Sequence, residues 1–345
     1  MPLLVAAPDK FRGTATAPEI ADAAALAAER AGWGAVRLPL ADGGEGLLEA
    51  VGGERRVEVV EGPLGAPVTA EWRLVPGEDG PTGVVEMARA SGMQLVGDAS
   101  ANDPLRATTR GTGELVAAAI RAGARRVVVG CGGSATTDGG AGALEILRDR
   151  SHLGNARLLV ACDVETRFLD AARVFGPQKG ASPDQVAELT DRLGELAAHY
   201  LERYGVDVTE LAGAGAAGGL AGGLAALGAE IVSGFGLVAQ LTGLERHLAA
   251  ADLVVTGEGR LDATSLSGKV VSGVLRLLDG RAPALVVAGA VDGIGPGEIA
   301  SATGVAQDLV EVASLTDLFG IERAVGEAAA LVGEVVREHI ARSHT

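Results

Sequence analysis

Aromatic side chains are scarce in this sequence: only 3% of the 345 residues are Phe, Trp or Tyr. A core built without them must be filled by Ala, Val and Leu, which suits helices packed closely on buried parallel strands. Cysteine is nearly absent as well. Cys131 and Cys162 form no C-x-x-C and no Cys/His metal spacing, so reduced thiols in a cytoplasmic setting are expected. Basic residues are outnumbered, 29 Lys and Arg against 45 Asp and Glu, for a formal net charge of −16. A chain this acidic offers no broad basic face to nucleic acid, and an anionic substrate would need a local concentration of Lys and Arg.

Long apolar runs are missing too. The first residues, MPLLVAAPDKFRG, lack the basic start and long apolar stretch of a signal peptide. The uncharged run from 211 to 229 is almost long enough to cross a bilayer and carries overlapping GxxxG spacings. It consists mostly of Ala and Gly, which drive insertion weakly, and Glu210 and Glu230 flank it where basic residues would be needed. No membrane span is expected. No G-x-S-x-G hydrolase elbow occurs. The histidines (His152, His199, His247, His339 and His344) fall in or beside expected helices or at the tail.

Glycine is in excess, with 52 residues, about twice the average usage. The length suits two domains. Leu3–Ala7 reads as a buried strand, followed by a helix opened by Thr16 with Glu19 as capping-box partner, and by a second strand over Ala35–Leu40. Alternation over Arg56–Val75 around a Gly/Pro turn predicts an antiparallel hairpin, with Val84–Met87 as a third strand. Further strands are expected at 126–129, 158–161, 251–256, 282–288 and 308–313. Helices are expected from Thr109 or Thr112 to Ala122, after the Ser182–Gln185 capping box, and from about 321 to 340. The fold class is α/β with two α/β domains: a doubly wound, Rossmann-like domain holding both termini (1–45 and 231–345) and an inserted mixed domain (46–230).

Polar clusters follow the expected strands. They are Asp9-Lys10-x-Arg12, Asp42-Gly43-Gly44-Glu45, Thr108-Thr109-Arg110, Gly132-Gly133-Ser134-Ala-Thr136-Thr137-Asp138, Asp163, Lys179, and Glu258-Gly-Arg260-x-Asp262. Ligands of open parallel sheets bind beyond the carboxyl ends of strands. Glycine loops can present backbone N–H groups to phosphate, although tight turns and close helix packing use glycine equally well. That alternative applies above all to Gly213–Gly219. Turn-borne carboxylates can hold Mg²⁺ with phosphate oxygens and water, although each alone can equally be a turn former or helix cap.

Together these segments resemble the bacterial glycerate kinases of type I. The resemblance rests on Ala7-Pro-Asp-Lys-Phe-Arg-Gly13, Ala41-Asp-Gly-Gly-Glu-Gly46, Gly132–Gly140, Ala161-Cys-Asp163, Phe175-Gly-Pro-Gln-Lys-Gly-Ala181, Gly213–Gly219 and Thr256-Gly-Glu-Gly-Arg-x-Asp262. It implies an ATP- and Mg²⁺-dependent kinase that converts D-glycerate to 2-phosphoglycerate, or to 3-phosphoglycerate, in the cytoplasm, with the site in the cleft between two α/β domains. The chain departs from the family pattern at Arg12 (usually Lys), Thr137 (usually Asn) and Thr264-Ser265 (usually Gln-Thr). The stretch from Leu147 to Leu158 is also shortened, and Glu165-Thr-Arg-Phe168 replaces an Asn-Pro-Leu loop.

On this reading Lys10, Arg12 and Lys179 neutralise phosphate and carboxylate charge. Gly132, Gly133, Ser134 and Thr136 cradle phosphate. Asp42, Glu45 or Asp262 hold Mg²⁺. Asp138 or Asp163 orients or deprotonates the substrate hydroxyl. Asp9, Gly43, Gly44, Arg110, Glu258 and Arg260 complete the binding residues. Glycerate and ATP are the expected partners, without nucleic acid or membrane, and a homodimer is left open as the assembly. The alternatives are a binding relative with impaired catalysis and a nucleotide-dependent oxidoreductase. The first strand–helix turn lacks the glycines that the latter requires.

Overall fold

The computed structural model describes residues 1–266 and 268–343; His344 lies outside them. The chain divides into two compact units. The first comprises Met1–Asp42, Glu49–Val51 and Phe235–Thr345, the second Gly43–Leu48 and Gly52–Gly234. Strands in chain order are β1 (Leu3–Ala6), β2 (Gly34–Arg37), β3 (Glu54–Glu61), β4 (Pro67–Val75), β5 (Thr82–Glu86), β6 (Arg126–Gly130), β7 (Arg157–Ala161), β8 (Glu230–Val232), β9 (Leu253–Leu261), β10 (Ala284–Val291) and β11 (Val310–Ser314).

In the first unit the sheet order is β11-β10-β9-β1-β2 and every pairing is parallel. From β1 the chain moves to β2 on one side, then returns through β9, β10 and β11 on the other. The winding direction therefore reverses between β1 and β9, and such a switch point opens a crevice at the carboxyl ends of its strands. The helix Ala17–Arg30 begins with the expected capping box: Thr16 Oγ1 accepts the Glu19 N–H, and Glu19 accepts the Thr16 N–H. Its buried face is Ile20, Ala21, Ala24 and Ala28. Such small side chains let it share a core with Leu331, Val332, Val335 and Val336 of the C-terminal helix Ala328–Ser343.

The second unit carries a mixed sheet in the order β3-β4-β5-β6-β7-β8. The expected hairpin is present, with Glu54 opposite Leu74 and Glu61 opposite Pro67. β5 pairs antiparallel with β4 and parallel with β6. Trp72, Phe168 and Tyr200 are almost wholly buried here in one core with Val85, Leu115, Val129 and Leu193. The Ser182–Gln185 capping box opens the helix Pro183–Tyr204 as expected.

Several elements differ from the sequence reading. β9 runs on through Leu261, because Gly257, Gly259 and Gly289 let β9 and β10 approach closely: a Cβ on Gly257 would lie 1.8 Å from the Val287 carbonyl oxygen. Glu258 and Arg260 thus lie on a strand and not in a loop. The C-terminal helix is two helices, Ile321–Gly326 and Ala328–Ser343, separated at Glu327. β8 and the helix Gly234–Thr242 carried no clear sequence signal. No helix among the described residues is long and apolar enough to cross a membrane; the 211–229 run is broken into a turn and a short buried helix, Leu220–Ala226.

Candidate functional site

In the first unit, polar residues gather at the carboxyl ends of β1 and β9. Beyond β1 the chain stays beside β9, with Ala7 N–H donating to Val255 O and Asp9 N–H to Gly257 O. Burial pushes the Asp9 carboxyl up to about 6; Lys10 and Arg12 pull it down while Asp42 pushes it up. Burial likewise pushes Glu258 up to about 7, opposed by a hydrogen bond from Ser265 and the Lys269 charge and reinforced by Asp9 and Asp262. One oxygen of Glu258, Oε1, is buried without a hydrogen-bond partner. These two acids sit at the switch point, where desolvation leaves their charge poorly compensated.

The flanking residues have other engagements. Asp262 closes a turn, its Oδ1 accepting the Thr264 N–H (2.8 Å) and hydroxyl (2.7 Å), which holds its carboxyl below the usual range. Lys269 Nζ donates to Thr264 Oγ1 at 3.1 Å. Arg260 is exposed and ion-paired with Asp292, so a substrate would have to compete for its guanidinium. Arg12 is exposed. Among the described residues no group of three or more His, Cys, Asp or Glu is placed to hold a metal ion by itself.

In the second unit the loops after β6 and β7 pack against Gly43–Glu45. A Cβ on Gly132 would lie 2.6 Å from Gly44 Cα, and one on Gly43 3.0 Å from the Ala161 carbonyl oxygen. Gly43 also requires its φ of +83°. Gly133 is exposed, and Gly132 and Ser134 are partly so. Their three N–H groups find no protein acceptor among the described residues. Backbone N–H groups left without an acceptor in a glycine loop can take an anion. Glu45 is exposed and accepts from Gln94 Nε2 at 3.0 Å. Asp163 Oδ1 accepts the Gly234 N–H at 2.9 Å, at the start of the helix Gly234–Thr242.

Of four further residues read as catalytic or binding groups, Lys179, Arg110 and Asp138 are engaged by other groups of the protein, and the buried Thr136 hydroxyl has no hydrogen-bond partner among the described residues. Thr136 is wholly buried and its hydroxyl does not reach solvent. Lys179 is 2% exposed and lies behind the loop, its Nζ donating to Thr136 O at 2.6 Å; burial pushes its ammonium down to about 7. Arg110 bridges Glu61 and Glu145.

Asp138 accepts four hydrogen bonds, from Thr109 N–H (2.8 Å), Thr109 Oγ1 (2.8 Å), Gly140 N–H (3.1 Å) and Gly142 N–H (3.2 Å). It joins the starts of the helices Arg110–Arg121 and Ala141–Leu147. Three of these bonds fall on Oδ2 and one on Oδ1, so Asp138 ties two helix starts together while Oδ1 keeps one acceptor position. Asp138→Asn is therefore expected to destabilise the protein by about 2–3 kcal/mol, because an amide NH₂ would face donors. The check is a urea titration: an unchanged midpoint with lost turnover would assign Asp138 a catalytic role rather than a structural one.

The Gly213–Gly219 run is closely packed against neighbouring backbone. Gly218 would place a Cβ 2.0 Å from Thr136 O, and Gly215 would place one 2.3 Å from Arg167 O. Sequence reading passed over Asn102, whose Nδ2 donates to Ala135 O and Lys179 O, and Glu86. The latter's signal is a glutamate that closes the apolar run Gly83-Val84-Val85.

A sequence profile of the glycerate kinase family matches residues 4–151 and 146–343, nearly the whole chain. The chain belongs to the glycerate kinase family. It is 40% identical over 310 residues to the glycerate 2-kinase of Escherichia coli K12, covering 79% of this chain and 80% of that one. It is 38% identical over 327 residues to the glycerate kinase of Bacillus subtilis 168, covering 84% and 85%. The crystal structure of a protein from Salmonella typhimurium LT2 assigned as a glycerate kinase 2 superposes with a TM-score of 0.80 at 33% identity, each chain being covered fully. The kinase is thus a phosphotransferase with the α/β architecture expected from its sequence, and the oxidoreductase alternative falls.

Proposed function

We propose that this kinase transfers the γ-phosphoryl group of ATP to the C2 hydroxyl of D-glycerate, giving 2-phosphoglycerate. The observation that carries the reading is the desolvated carboxylate pair Asp9 and Glu258 at the switch point of the parallel sheet, beside Lys10, Asp42 and Lys269. Phosphoryl transfer needs positioning and neutralisation of charge more than covalent chemistry. The name of the Escherichia coli relative, glycerate 2-kinase, supports the C2 product.

Lys10 and Arg12 neutralise phosphate and carboxylate charge. The free N–H groups of Gly132, Gly133 and Ser134 take phosphate oxygens. Lys179 and Asp138 hold that loop in shape from within. Asp42, close enough to raise the Asp9 carboxyl, takes the proton of the glycerate hydroxyl. The buried, unpartnered Oε1 of Glu258 is a hard oxygen donor of the kind Mg²⁺ accepts, and Mg²⁺ needs only one or two carboxylates when phosphates and water complete its shell. The donors therefore fit, with Glu258 and Asp9 as ligands and Asp262 as an outer acid. Bound there, Mg²⁺ would neutralise the charge developing on the nucleotide phosphates. The reaction belongs to the cytoplasm.

The test combines ADP release with ³¹P NMR of the product from ATP, Mg²⁺ and D-glycerate. Turnover with a C2 phosphomonoester is expected. A C3 product corrects the regiochemistry, and a folded protein inert towards both D- and L-glycerate overturns the reading.

A further inference from the structure

Glu86 is the last residue of β5 and is 2% exposed, a rare place for a carboxylate. Its Oε1 accepts the N–H of Gly46 at 2.9 Å and of Leu48 at 3.1 Å. Its Oε2 accepts from Arg89 Nε at 3.0 Å. The helix Leu47–Val51, which follows the Gly43–Gly46 loop, has no side-chain cap of its own at Gly46. Glu86 supplies the missing acceptor from a strand 40 residues away in sequence. The loop it holds is the one that packs on Gly130 and Gly132: a Cβ on Gly130 would lie 2.5 Å from Gly43 O. Gly130 is also the strand partner of Glu86.

The arrangement extends outward. Arg89 lies 3.4 Å from Glu71 Oε1, and Glu71 in turn pairs with Arg55 (2.6 Å) and Arg73 (3.4 Å). The hydrogen bond from Arg55 holds the Glu71 carboxyl below its usual range. Every group facing Glu86 in these bonds is a donor: two backbone amides and a guanidinium. Only an acceptor-only side chain satisfies all three.

We infer that Glu86 is a positioning residue for phosphoryl transfer, fixing the Gly43–Gly46 loop, and with it Glu45, through its bonds to Gly46 and Leu48. The inference rests on the reading of that loop as part of the kinase site. A displacement of about 1 Å in a catalytic loop can cost about 100-fold in rate. Glu86→Ala removes both acceptors and frees the loop. Glu86→Gln keeps one oxygen for the two amides and sets its NH₂ against Arg89.

The experiment compares the wild-type kinase, E86Q and E86A in steady-state kinetics with ATP, Mg²⁺ and D-glycerate, alongside amide exchange of Gly46 and Leu48 without ligand. E86A is expected to lose about 30- to 100-fold in kcat/KM, with E86Q recovering to within about tenfold of wild type. Gly46 and Leu48 should exchange faster in E86A while the β6 amides stay protected. Wild-type kinetics in E86A, or no rescue by E86Q, overturns the inference. If E86A does not fold, E86Q carries the test: a loss of about three- to tenfold with faster exchange at the two amides supports the role, and unchanged kinetics and exchange overturn it. An inactive wild-type protein overturns the function itself and this inference with it, whereas an active one with an unaffected E86A overturns the inference alone.

Discussion

Replacing Glu258 by Gln should make the ligand-free protein more stable and the enzyme nearly inactive. The carboxyl of Glu258 is raised from 4.5 to about 7 by burial, so the fold favours its protonated form. A raised carboxyl gives a stabilising contribution that is fully present below the unfolded value near 4.5 and is lost as pH rises through about 7. At pH 8 the wild type therefore carries an uncompensated buried charge, and at pH 5 it does not. With some solvent access at the site, the gain for E258Q is about 2 kcal/mol at pH 8 and close to zero at pH 5.

Urea titrations at the two pH values, with a chelator present, measure this; equal gains at both would show that the charge is well solvated. Turnover should fall by about 100-fold or more if Glu258 holds Mg²⁺ as proposed, because the charged ligand oxygen is gone. Asp9, raised to about 6, adds a second ionisation. In the wild type kcat/KM should thus climb with pH between about 5.5 and 7.5, as the coupled pair loses its protons.

A pair of glycine substitutions should give opposite results. Gly218 has a φ of +68° and a Cβ there would meet Thr136 O at 2.0 Å and Thr137 Cα at 2.6 Å, both backbone atoms that cannot move aside cheaply. Gly218→Ala is expected to cost more than about 4 kcal/mol, enough to unfold the second unit. Gly194 lies inside the helix Pro183–Tyr204 with nothing within 4 Å of its Cβ position. Gly194→Ala should stabilise by about 0.5–1 kcal/mol through lower chain entropy and better helix propensity. Thermal melts of the two variants decide the matter. A folded G218A with weakened nucleotide binding would return the Gly213–Gly219 run to a phosphate-binding role.

Much of the fold could be read directly. The capping boxes at Thr16 and Ser182, the alternation of the β3–β4 hairpin and the Val-rich strands β6 and β10 are local signals, set by hydrogen-bonding side chains and by side-chain period. β8 escaped because a three-residue strand at the sheet edge has no period to detect. The end of β9 was misplaced because Gly257-Glu-Gly-Arg260 has loop composition, while its geometry is dictated by β10 alongside it.

The site was legible as a set of loops but not as a set of roles. Asp138, Asp163 and Glu258 look alike in one dimension. Two helix starts converge on Asp138, and burial raises its carboxyl as it raises that of Glu258, but only Glu258 keeps a buried oxygen without a partner. Lys179 is buried with its ammonium on Thr136 O, a partner 43 residues away that no local pattern announces. The sequence by itself determined the family, the α/β class and the order of polar loops, since each follows from short-range pattern and composition. Only the tertiary structure decided how each carboxylate is hydrogen-bonded and how far it is desolvated, because both are properties of neighbours that lie tens to hundreds of residues away along the chain.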